Sequence, residues 1–334
     1  MILIVEKETD PRHNLAREEY LTDHMNEDIV YLWRNSPSVI VGRHQNTSAE
    51  VDESFAEKAA IAVVRRLTGG GAVFQDLGNI NISFLFRGMS FEEKAQHGLD
   101  LLIEFLGQRG ISVKPAGRND LCVKKEDGSE AKIAGTAMLQ RNDRCIFHAC
   151  LLYDCDLSTM ERVLTPPAEK LESKGIRSVR ARVTNIRELT DGGEAIDSEA
   201  FFRQMADFFA GHCSALTAPA AGEEEAVRHL MRERYQSWEW NFGRNPQSSL
   251  SAGFRFPAGQ IQVDLCLEKG KIKECRFSGD YLDSEGLTQL SSRLKGIPYR
   301  KGEVETAVED MDLQSLFGLA DREKIVHFLM GGKI

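Results

Sequence analysis

The sequence predicts an α+β protein with one large domain, built on a mixed β-sheet flanked by helices, and a smaller α/β domain after it. Helix-like and strand-like segments follow one another irregularly over the first two thirds of the chain, which favours a mixed sheet over a regular βαβ series. A loop-like stretch at residues 218–222 and a tryptophan-rich turn then precede three strand-like runs and further helical segments. We therefore predict domains at residues 1–245 and 250–334.

Local signals place the elements of the large domain. Asp10 followed by Pro11 is typical of a helix cap and first turn, and Ser90 begins a capping-box pattern before an amphipathic run. Gly107 and Gly110 mark the end of that run, and apolar runs bounded by turn residues predict strands. These signals predict helices over residues 11–24 and 91–107, and strands over residues 29–33, 38–41, 61–64, 132–138 and 146–152, with a turn at residues 35–37 joining the first two strands.

The later part of the chain carries a different set of signals. Residues 223–234 form a charged helical pattern, and Trp238, Trp240 and Phe242 around one turn predict a segment anchored in a core. The strand-like runs of the small domain follow, with a hairpin turn between the last two of them. These runs cover residues 254–256, 260–267 and 272–277, and the hairpin turn covers residues 268–271.

Composition narrows the class of protein. The chain has 334 residues, 42% of them hydrophobic and 28% charged, as in an ordinary soluble globular protein. The net charge of −9 argues against a general nucleic-acid surface, and neither a membrane span nor a signal peptide is evident. Seven cysteines, an odd number without a Cys-x-x-Cys pair, argue against a disulfide framework or a zinc site. We expect a cytoplasmic monomer with no nucleic-acid or membrane partner.

A glycine-rich loop is the most informative stretch. Arg65 and Arg66 end an apolar run and lead into Gly69–Gly71, where the backbone can approach a ligand with no Cβ in the way. Backbone N–H groups beside guanidinium groups favour an anion site, most simply for a phosphate, over a flexible turn with solvated arginines. Lys132 begins a strand of small residues that includes Gly135. By itself this pattern favours an exposed lysine at a sheet edge, but a lone lysine there can also reach a phosphate or an acyl oxygen.

Three more polar clusters have two interpretations each. Residues 41–46 end a strand with polar side chains, as in a surface turn or a binding cleft. Asn119 and Asp120 stand in a polar segment that is either a turn or part of a site. Residues 177–182 carry three arginines at near-alternate positions, which either line a partner-binding surface or are solvated.

Taken in order, these motifs resemble those of lipoate–protein ligases. The motifs are Arg-Arg-x-Thr-Gly-Gly-Gly-Ala-Val-Phe, Asp-x-Gly-Asn, Gly-Arg-Asn-Asp, Lys-x-x-Gly-x-Ala and Gly-Ile-x-Ser-Val-Arg-x-Arg-Val-Thr-Asn. Their order and spacing fit over about residues 1–245. The Trp-x-Trp-x-Phe-Gly segment and Leu294–Tyr299 resemble parts of that family's C-terminal accessory domain. The resemblance therefore spans nearly the whole chain and implies a catalytic domain of the biotin/lipoyl ligase-like fold.

The resemblance implies a two-step reaction. ATP, with Mg²⁺, activates the carboxylate of lipoate as lipoyl-adenylate, and a lysine of an acceptor protein then takes the lipoyl group and releases AMP. The implied acceptors are apo lipoyl domains of 2-oxoacid dehydrogenase E2 subunits, the H protein of glycine cleavage, or both. Such a displacement needs alignment and charge neutralisation more than a nucleophilic side chain.

The resemblance also assigns residues. Lys132 is the catalytic residue, between the α-phosphate and the lipoyl carbonyl. The implied ATP-binding residues are Arg66, Gly71, Ala72, Val73, Phe74 and Lys132, and the implied lipoate-binding residues are Lys132, Arg66 and Gly70. Secondary candidates are Gln75, Asp76, Asn79, Asn119, Asp120 and Gly135, with Asp120 the candidate to share Mg²⁺ with phosphate. For the apolar lipoyl tail we expect a narrow tunnel lined by residues such as Val41, Leu67 and Phe84.

Two departures from the family pattern leave other interpretations open. Family members usually carry His where this chain has Gln75, and Ser where it has Ala134. One alternative is a lipoyl- or octanoyltransferase that lacks the activation step, for which Cys145 and Cys150 lie near Lys132 in sequence. Another is a non-catalytic lipoate-binding paralogue. Biotin–protein ligase is disfavoured, because its Gly-Arg-Gly-Arg loop is absent.

Overall fold

The structure is a computed structural model, and it divides into two compact units. Unit 1 is Met1–Asn241 and unit 2 is Phe242–Ile334. The residues that the structure describes are 1–88, 91–116, 119–125, 128–141, 143–164, 183–189, 196–216, 222–245, 248–279 and 284–332.

The larger sheet of unit 1 has eight strands in the order β11-β1-β2-β6-β10-β9-β8-β7. Strand β1 runs parallel to β2 and β11, and the remaining neighbours are antiparallel. The strands are β1 (Ile2–Val5), β2 (Ile29–Trp33), β6 (Asn79–Arg87), β7 (Val113–Ala116), β8 (Asp120–Lys124), β9 (Glu130–Arg141), β10 (Arg144–Leu152) and β11 (Ala215–Leu216).

A second sheet of unit 1 has three strands in the order β4-β3-β5: β4 (Ala62–Arg65), β3 (Ser38–Val41) and β5 (Val73–Gln75). Strands β2 and β3 have the predicted bounds, but they do not pair with each other as strands joined by a simple turn would. Both edges of β2 are already occupied by β1 and β6, so the chain passes on to a different sheet.

The helices of unit 1 confirm the two main sequence predictions. Helix α1 covers Pro11–His24, and the Asp10 side chain caps it by accepting a hydrogen bond from the Arg12 N–H. Helix α4 ends at Gly107 as expected, while Ser90, its predicted cap, lies outside the described residues. The helices are α1, α2 (Thr47–Glu50), α3 (Glu53–Lys58), α4 (Phe91–Gly107), α5 (Leu157–Val163), α6 (Ser198–His212), α7 (Glu223–Leu230) and α8 (Trp238–Asn241), with a 3₁₀ helix at Ile186–Leu189 and a π-helix at Met231–Tyr235.

Strand β6 shows how the core positions the site. Its side chains alternate between the two faces of the sheet. Ile80, Ile82 and Phe84 belong to the hydrophobic core that includes residues of α4 and α6. Asn81 and Ser83 point to the opposite face, where both are buried and hydrogen-bonded. One strand therefore supports the main core and presents polar groups to a second, polar interior.

Unit 2 is a small α/β unit. Together with the mixed sheet and helices of unit 1, it confirms the predicted α+β fold class. Strands β12 (Ser248–Phe256), β13 (Gly259–Glu268) and β14 (Lys271–Gly279) form an antiparallel sheet and extend beyond the predicted runs. The predicted hairpin joins β13 to β14 with positive φ angles at Lys269 and Gly270, as a two-residue type I′ turn requires. The helices are α9 (Ser284–Leu294), α10 (Lys301–Ala307), α11 (Leu313–Phe317) and α12 (Arg322–Leu329).

Two further predictions concern membrane-spanning segments and disulfide bonds. Within the described ranges, no helix combines the length and the apolar character needed to cross a membrane. All seven cysteines carry free thiols.

Candidate functional site

One pocket of unit 1 collects most of the residues that the sequence singled out. It lies where side chains of the small sheet meet those of β6, β9 and β10 in the large sheet. Its wall contains the glycine loop, Lys132 and a set of apolar residues. The lining residues are Leu15, Trp33, Ile40, Arg66, Gly70, Gly71, Ala72, Val73, Gln75, Asn81, Asn119, Asp120, Lys132, Gly135, Thr136, Ala137, His148, Ala149 and Cys150.

The glycine loop is packed closely against the end of β3. Gly70 has φ of +90°, a backbone conformation that favours glycine. A Cβ on Gly42 would overlap the carbonyl oxygen of Gly70, whereas a Cβ on Gly69 or Gly71 would meet no atom within 4 Å. The loop therefore has one tightly supported side and one open side.

Arg66 lies beneath this loop and orients its peptide groups. Its Nη2 donates to the carbonyl oxygens of Gly69 (2.6 Å) and Gly71 (2.8 Å), and its Nη1 donates to the carbonyl of Ile40. In a trans peptide the N–H points away from the preceding C=O. The N–H groups of Gly70 and Ala72 are therefore turned away from the guanidinium, toward the open side of the loop.

The N–H groups of the glycine loop point to no acceptor among the residues that the structure describes. These are the N–H groups of residues 69–72. Consecutive unpartnered amides form a concavity that binds anions. The loop is therefore suited to bind an anion, as predicted. The binding groups would be its backbone amides, because the guanidinium of Arg66 already donates to carbonyl oxygens.

Arg65 has a structural position outside the pocket. Its side chain is fully buried and donates to carbonyl oxygens of Gly42, Arg43, Gln45, Trp240 and Asn241 and to the Thr47 hydroxyl. It joins the turn after β3 to the end of unit 1. The prediction that both arginines face an anion is therefore wrong for Arg65, because main-chain carbonyls in two distant segments use its N–H groups.

Lys132 stands on β9 at the mouth of the pocket. Its Nζ lies 2.7 Å from Oδ1 of Asp120, and both side chains keep partial access to solvent. Gly135 lies beside the lysine: a Cβ there would be 3.0 Å from Nζ, so the glycine leaves room for that side chain. The ammonium is held by one exposed carboxylate, and its remaining N–H groups are available to a ligand.

The inner wall of the pocket is apolar, but not with the residues that we expected. Leu15, Trp33, Ile40, Ala137 and Ala149 line it. The three expected tunnel residues do not line the pocket. They are Val41, Leu67 and Phe84, and each is buried in a packed core of unit 1. Side chains alternate between the two faces of a strand, and this explains two of the errors. Val41 follows Ile40, which lines the pocket, and Phe84 follows Ser83, which is hydrogen-bonded to Glu18.

Gln75 is held in a chain of buried amides. Its Oε1 accepts from Asn35 (2.7 Å), its Nε2 donates to Asn81 (2.8 Å), and Asn14 continues the chain by donating to Asn35. Gln75 also hydrogen-bonds the thiol of Cys150. The usual histidine is thus replaced by an amide whose hydrogen-bonding groups are engaged by neutral partners.

The other secondary candidates divide into two groups. Asn119, Asp120 and Gly135 line the pocket. Asp76 and Asn79 instead build the turn before β6: the Asp76 carboxylate accepts from the Gly78 and Asp156 N–H groups, and Asn79 accepts from the Asp76 N–H. Burial raises the pKa of Asp76. Phe74 packs in the core, and the three arginines at 177–182 lie outside the described residues.

Sequence analysis missed a buried polar network below the loop. Its members are Trp33, Ser83, Glu18, His148, Thr68 and Arg66. Glu18 stands in an Arg-Glu-Glu run that is typical of a solvated helix face, and His148 stands in a strand that is otherwise apolar or small. No local pattern identifies either residue, because only the tertiary fold brings them together.

Comparison with known proteins identifies the family. A family model described as "Lipoyl protein ligase A/B catalytic domain" matches residues 10–210, and one described as "Bacterial lipoate protein ligase C-terminus" matches residues 245–329. "Lipoate-protein ligase LplJ" of Bacillus subtilis is 34% identical over 96% of this chain and 97% of its own length. The chain belongs to the lipoate–protein ligase family. "Lipoate--protein ligase 1" of Staphylococcus aureus is 33% identical to this ligase over 96% of the chain and 97% of its own length.

Solved structures agree with this assignment. A bi-partite lipoate protein ligase from Thermoplasma acidophilum, described with its E2 lipoyl domain, matches 74% of this ligase and 98% of its own chain, with a TM-score of 0.61 and 28% identity. A lipoate-protein ligase A bound with ATP matches 73% of this ligase and 98% of its own chain, with a TM-score of 0.58 and 26% identity.

The contact between Gly42 and the glycine loop gives a testable prediction. In the Gly42→Ala variant we expect the loop to move, because the new Cβ would overlap the Gly70 carbonyl. The cost in stability should be about 1–3 kcal/mol, as for overpacked sites. The ligase activity should fall by more than the loss of stability, measured as the melting temperature, would explain. Gly211→Ala in α6, where a Cβ meets no atom within 4 Å, is the control. Equal activity of the two variants would contradict the role of this contact.

Proposed function

We propose that this protein activates lipoate with ATP as lipoyl-adenylate and transfers the lipoyl group to a lysine of an apo lipoyl domain. The observation that carries the proposal is the composition of the pocket. Open amides of the glycine loop, the Lys132 ammonium and an apolar inner wall line the same pocket. An acid with an apolar tail and a polyphosphate would each find its complement there.

The nucleotide belongs on the open side of the glycine loop. The amides of Gly70 and Ala72 point away from Arg66, and unpartnered backbone amides of this kind suit phosphate oxygens. Arg66 supports this reading, since burial lowers its pKa only to about 10, so the guanidinium remains positive below the loop at neutral pH. The lipoyl tail belongs along Trp33 and Ile40, deeper in the pocket.

Lys132 would stabilise the charge that develops in both steps. In the first step the carboxylate of lipoate displaces pyrophosphate at the α-phosphate, and negative charge builds on the phosphoryl oxygens. In the second step the acceptor lysine attacks the lipoyl carbonyl, and charge builds on its oxygen while AMP leaves. An ammonium fixed at the mouth of the pocket can stabilise either charge.

Magnesium would be held mainly through the nucleotide. Within the described ranges, no group of three or more His, Cys, Asp or Glu residues is arranged to hold a metal ion. Mg²⁺ commonly binds through one or two carboxylates together with substrate phosphates. Asp120 is the acidic residue in the pocket lining, which fits that arrangement. Bound in this way, the ion would neutralise phosphate charge.

The direct test uses an isolated acceptor. The protein is incubated with ATP, Mg²⁺, lipoate and an apo lipoyl domain, and the acceptor is analysed by intact mass. We expect a mass increase of one lipoyl group, and none when ATP is omitted. Lipoate-dependent ATP–pyrophosphate exchange should occur without the acceptor. Transfer without exchange would indicate a transferase, and tight lipoate binding without either reaction would indicate a non-catalytic paralogue.

Cys150 is the observation that bears on the transferase alternative, because it lines the same pocket as Lys132. A cysteine nucleophile needs a thiolate. Burial raises the pKa of the Cys150 thiol to about 11, and hydrogen bonds from Gln75 and Asn79 offset only part of that effect. Burial likewise raises the pKa of Cys145 to about 12. The protonated thiols favour the adenylation mechanism.

We therefore predict that Cys150→Ser retains most of the lipoylation activity, within about threefold of the wild type, since a neutral hydroxyl replaces a neutral thiol. The wild-type thiol should also react slowly with iodoacetamide at pH 8, well below its pKa. Cys122 in β8, which is not among the pocket-lining residues, serves as the internal reference in the same mass spectrum. Loss of transfer in Cys150→Ser, together with a trapped acyl-thioester in the wild type, would reverse this assignment.

The proposal also covers the roles of the two units, the acceptor proteins, the compartment and the oligomeric state. We propose that unit 1 carries the chemistry and unit 2 is the accessory domain, with boundaries near the predicted residues 245 and 250. The acceptors are E2 lipoyl domains, the glycine-cleavage H protein, or both. Free thiols at all seven cysteines support a reducing compartment, the cytoplasm. We propose that the protein acts there as a monomer.

A further inference from the structure

The buried network below the glycine loop runs from Arg66 through Thr68 and His148 to Glu18. The Nε–H of Arg66 can only donate, so the Thr68 hydroxyl oxygen accepts it at 2.9 Å. The hydroxyl hydrogen of Thr68 is then available to His148 Nε2, 3.1 Å away. With Thr68 donating to Nε2, the neutral imidazole carries its proton on Nδ1, which lies 3.1 Å from Oε1 of Glu18 and is placed to donate to it.

A second series of hydrogen bonds, which begins at Trp33, also ends at Glu18. The Ser83 hydroxyl donates to the same Oε1 at 2.6 Å, and the Trp33 indole N–H donates to Ser83 at 3.0 Å. The Glu18 side chain is 1% exposed. A buried carboxylate needs a cation as well as hydrogen bonds. Among the charged groups that act on buried Arg66, Glu18 is the main one that favours its charged form.

We propose that Glu18 and His148 are positioning residues for the glycine loop, acting through Thr68 and Arg66. They hold the guanidinium in the orientation that binds the Gly69 and Gly71 carbonyls, and thereby hold the Gly70 and Ala72 amides toward the nucleotide. This inference rests on the proposed function, because it assigns the polyphosphate of ATP to those amides. It adds a role for the Glu18 carboxylate and for the His148 imidazole, which also lines the pocket.

Three structural features support a positioning role over simple packing. Thr68 is completely buried, yet its hydroxyl is placed between two nitrogens of opposite role. Arg66 binds carbonyls on both sides of Gly70, so a rotation of its guanidinium would change two peptide planes together. The network also reaches Trp33 in the apolar wall. It therefore links the wall assigned to the acyl chain with the loop assigned to the nucleotide.

A matched set of variants tests the network. Thr68→Val removes the hydroxyl with little change of shape, and Thr68→Ser restores it. Loss of a hydrogen bond to a charged group commonly changes an equilibrium by roughly tenfold or more. We expect the KM and the dissociation constant for Mg-ATP to rise by about tenfold in Thr68→Val and to stay within about twofold of the wild type in Thr68→Ser. Thr22→Val is the control, because the buried Thr22 hydroxyl donates to the main-chain carbonyl of Glu18 and not to a side chain of the network.

A double-mutant cycle tests the distant end of the network. Glu18→Gln keeps the shape of the side chain and removes its charge. Glu18 and Thr68 are joined through His148, so the proposal requires their effects on the ATP constants to be non-additive. The double variant Glu18→Gln/Thr68→Val should be within about twofold of Thr68→Val alone. Melting temperatures of each variant separate this coupling from a general loss of folding.

The outcomes are distinguishable. Multiplicative effects in the double variant, or equal effects of Thr68→Val and Thr22→Val, would overturn the positioning network while leaving the proposed function intact. A wild-type protein that neither binds Mg-ATP nor carries out lipoate-dependent exchange would overturn the proposed function, and the network's role with it. A rise in the ATP constants that serine reverses, with non-additivity at Glu18, supports the proposal.

Discussion

Replacing Lys132 with alanine is expected to lower the rate of lipoyl-adenylate formation by about 10³-fold, the upper range for loss of one group that stabilises charge in a transition state. The fold should be unaffected. The side chain is 29% exposed and its partner Asp120 is 46% exposed, and ion pairs of that kind contribute about 0–1 kcal/mol. Lipoate-dependent ATP–pyrophosphate exchange measures the first effect, and thermal unfolding measures the second.

Two further variants make the Lys132 result specific. Lys124→Ala removes an exposed lysine from the neighbouring strand β8 and should leave exchange unchanged. Lys132→Arg keeps the charge, but its planar guanidinium must fit beside Gly135, so we expect it to recover little activity. Near-normal exchange in Lys132→Ala would refute the role assigned to the lysine, whatever the family resemblance implies.

Much of the fold was predictable because its signals are short-range. The cap at Asp10 and the proline after it place α1, and the Lys269-Gly270 turn places the last hairpin. Strand pairing was not predictable in the same way. Strands β2 and β3 are adjacent in sequence, but β2 has no free edge once β1 and β6 are paired to it. That constraint exists only in the assembled sheet.

The candidate site shows the same division. The glycine loop is recognisable because three adjacent glycines are costly in any strand or helix, and Lys132 because small residues follow it; the structure places both in one pocket. Glu18 could not be identified, because a carboxylate on a charged helix normally faces water. Its burial depends on Ser83 and His148, which are 65 and 130 residues away in sequence. Buried polar networks are thus the part of a site that sequence patterns reveal least.

The largest expected effect on stability belongs to the other arginine of the pair. Arg65→Met should lower the free energy of unfolding by about 3 kcal/mol or more, because several main-chain carbonyls would stay buried without donors, each at a cost of about 1–3 kcal/mol. The affected carbonyls belong to Gly42, Arg43, Gln45, Trp240 and Asn241. Arg65→Lys should be nearly as harmful, since one ammonium cannot replace a planar donor fork in all these positions. Denaturant unfolding of each variant gives the free energies.

An exposed arginine should contribute much less to stability than the buried Arg65. Arg203→Ala on α6 is the control, because that side chain is 68% exposed and bonds only within its own helix. It should change the free energy of unfolding by no more than about 0.5 kcal/mol. Because Arg65 bridges segments about 175 residues apart, its loss should also expose the segment that contains Trp240, which Trp fluorescence would report. A stable Arg65→Met variant with unchanged fluorescence would mean that the two segments are held together by packing alone. In that case the hydrogen bonds of the buried Arg65 would not be needed to hold these segments together.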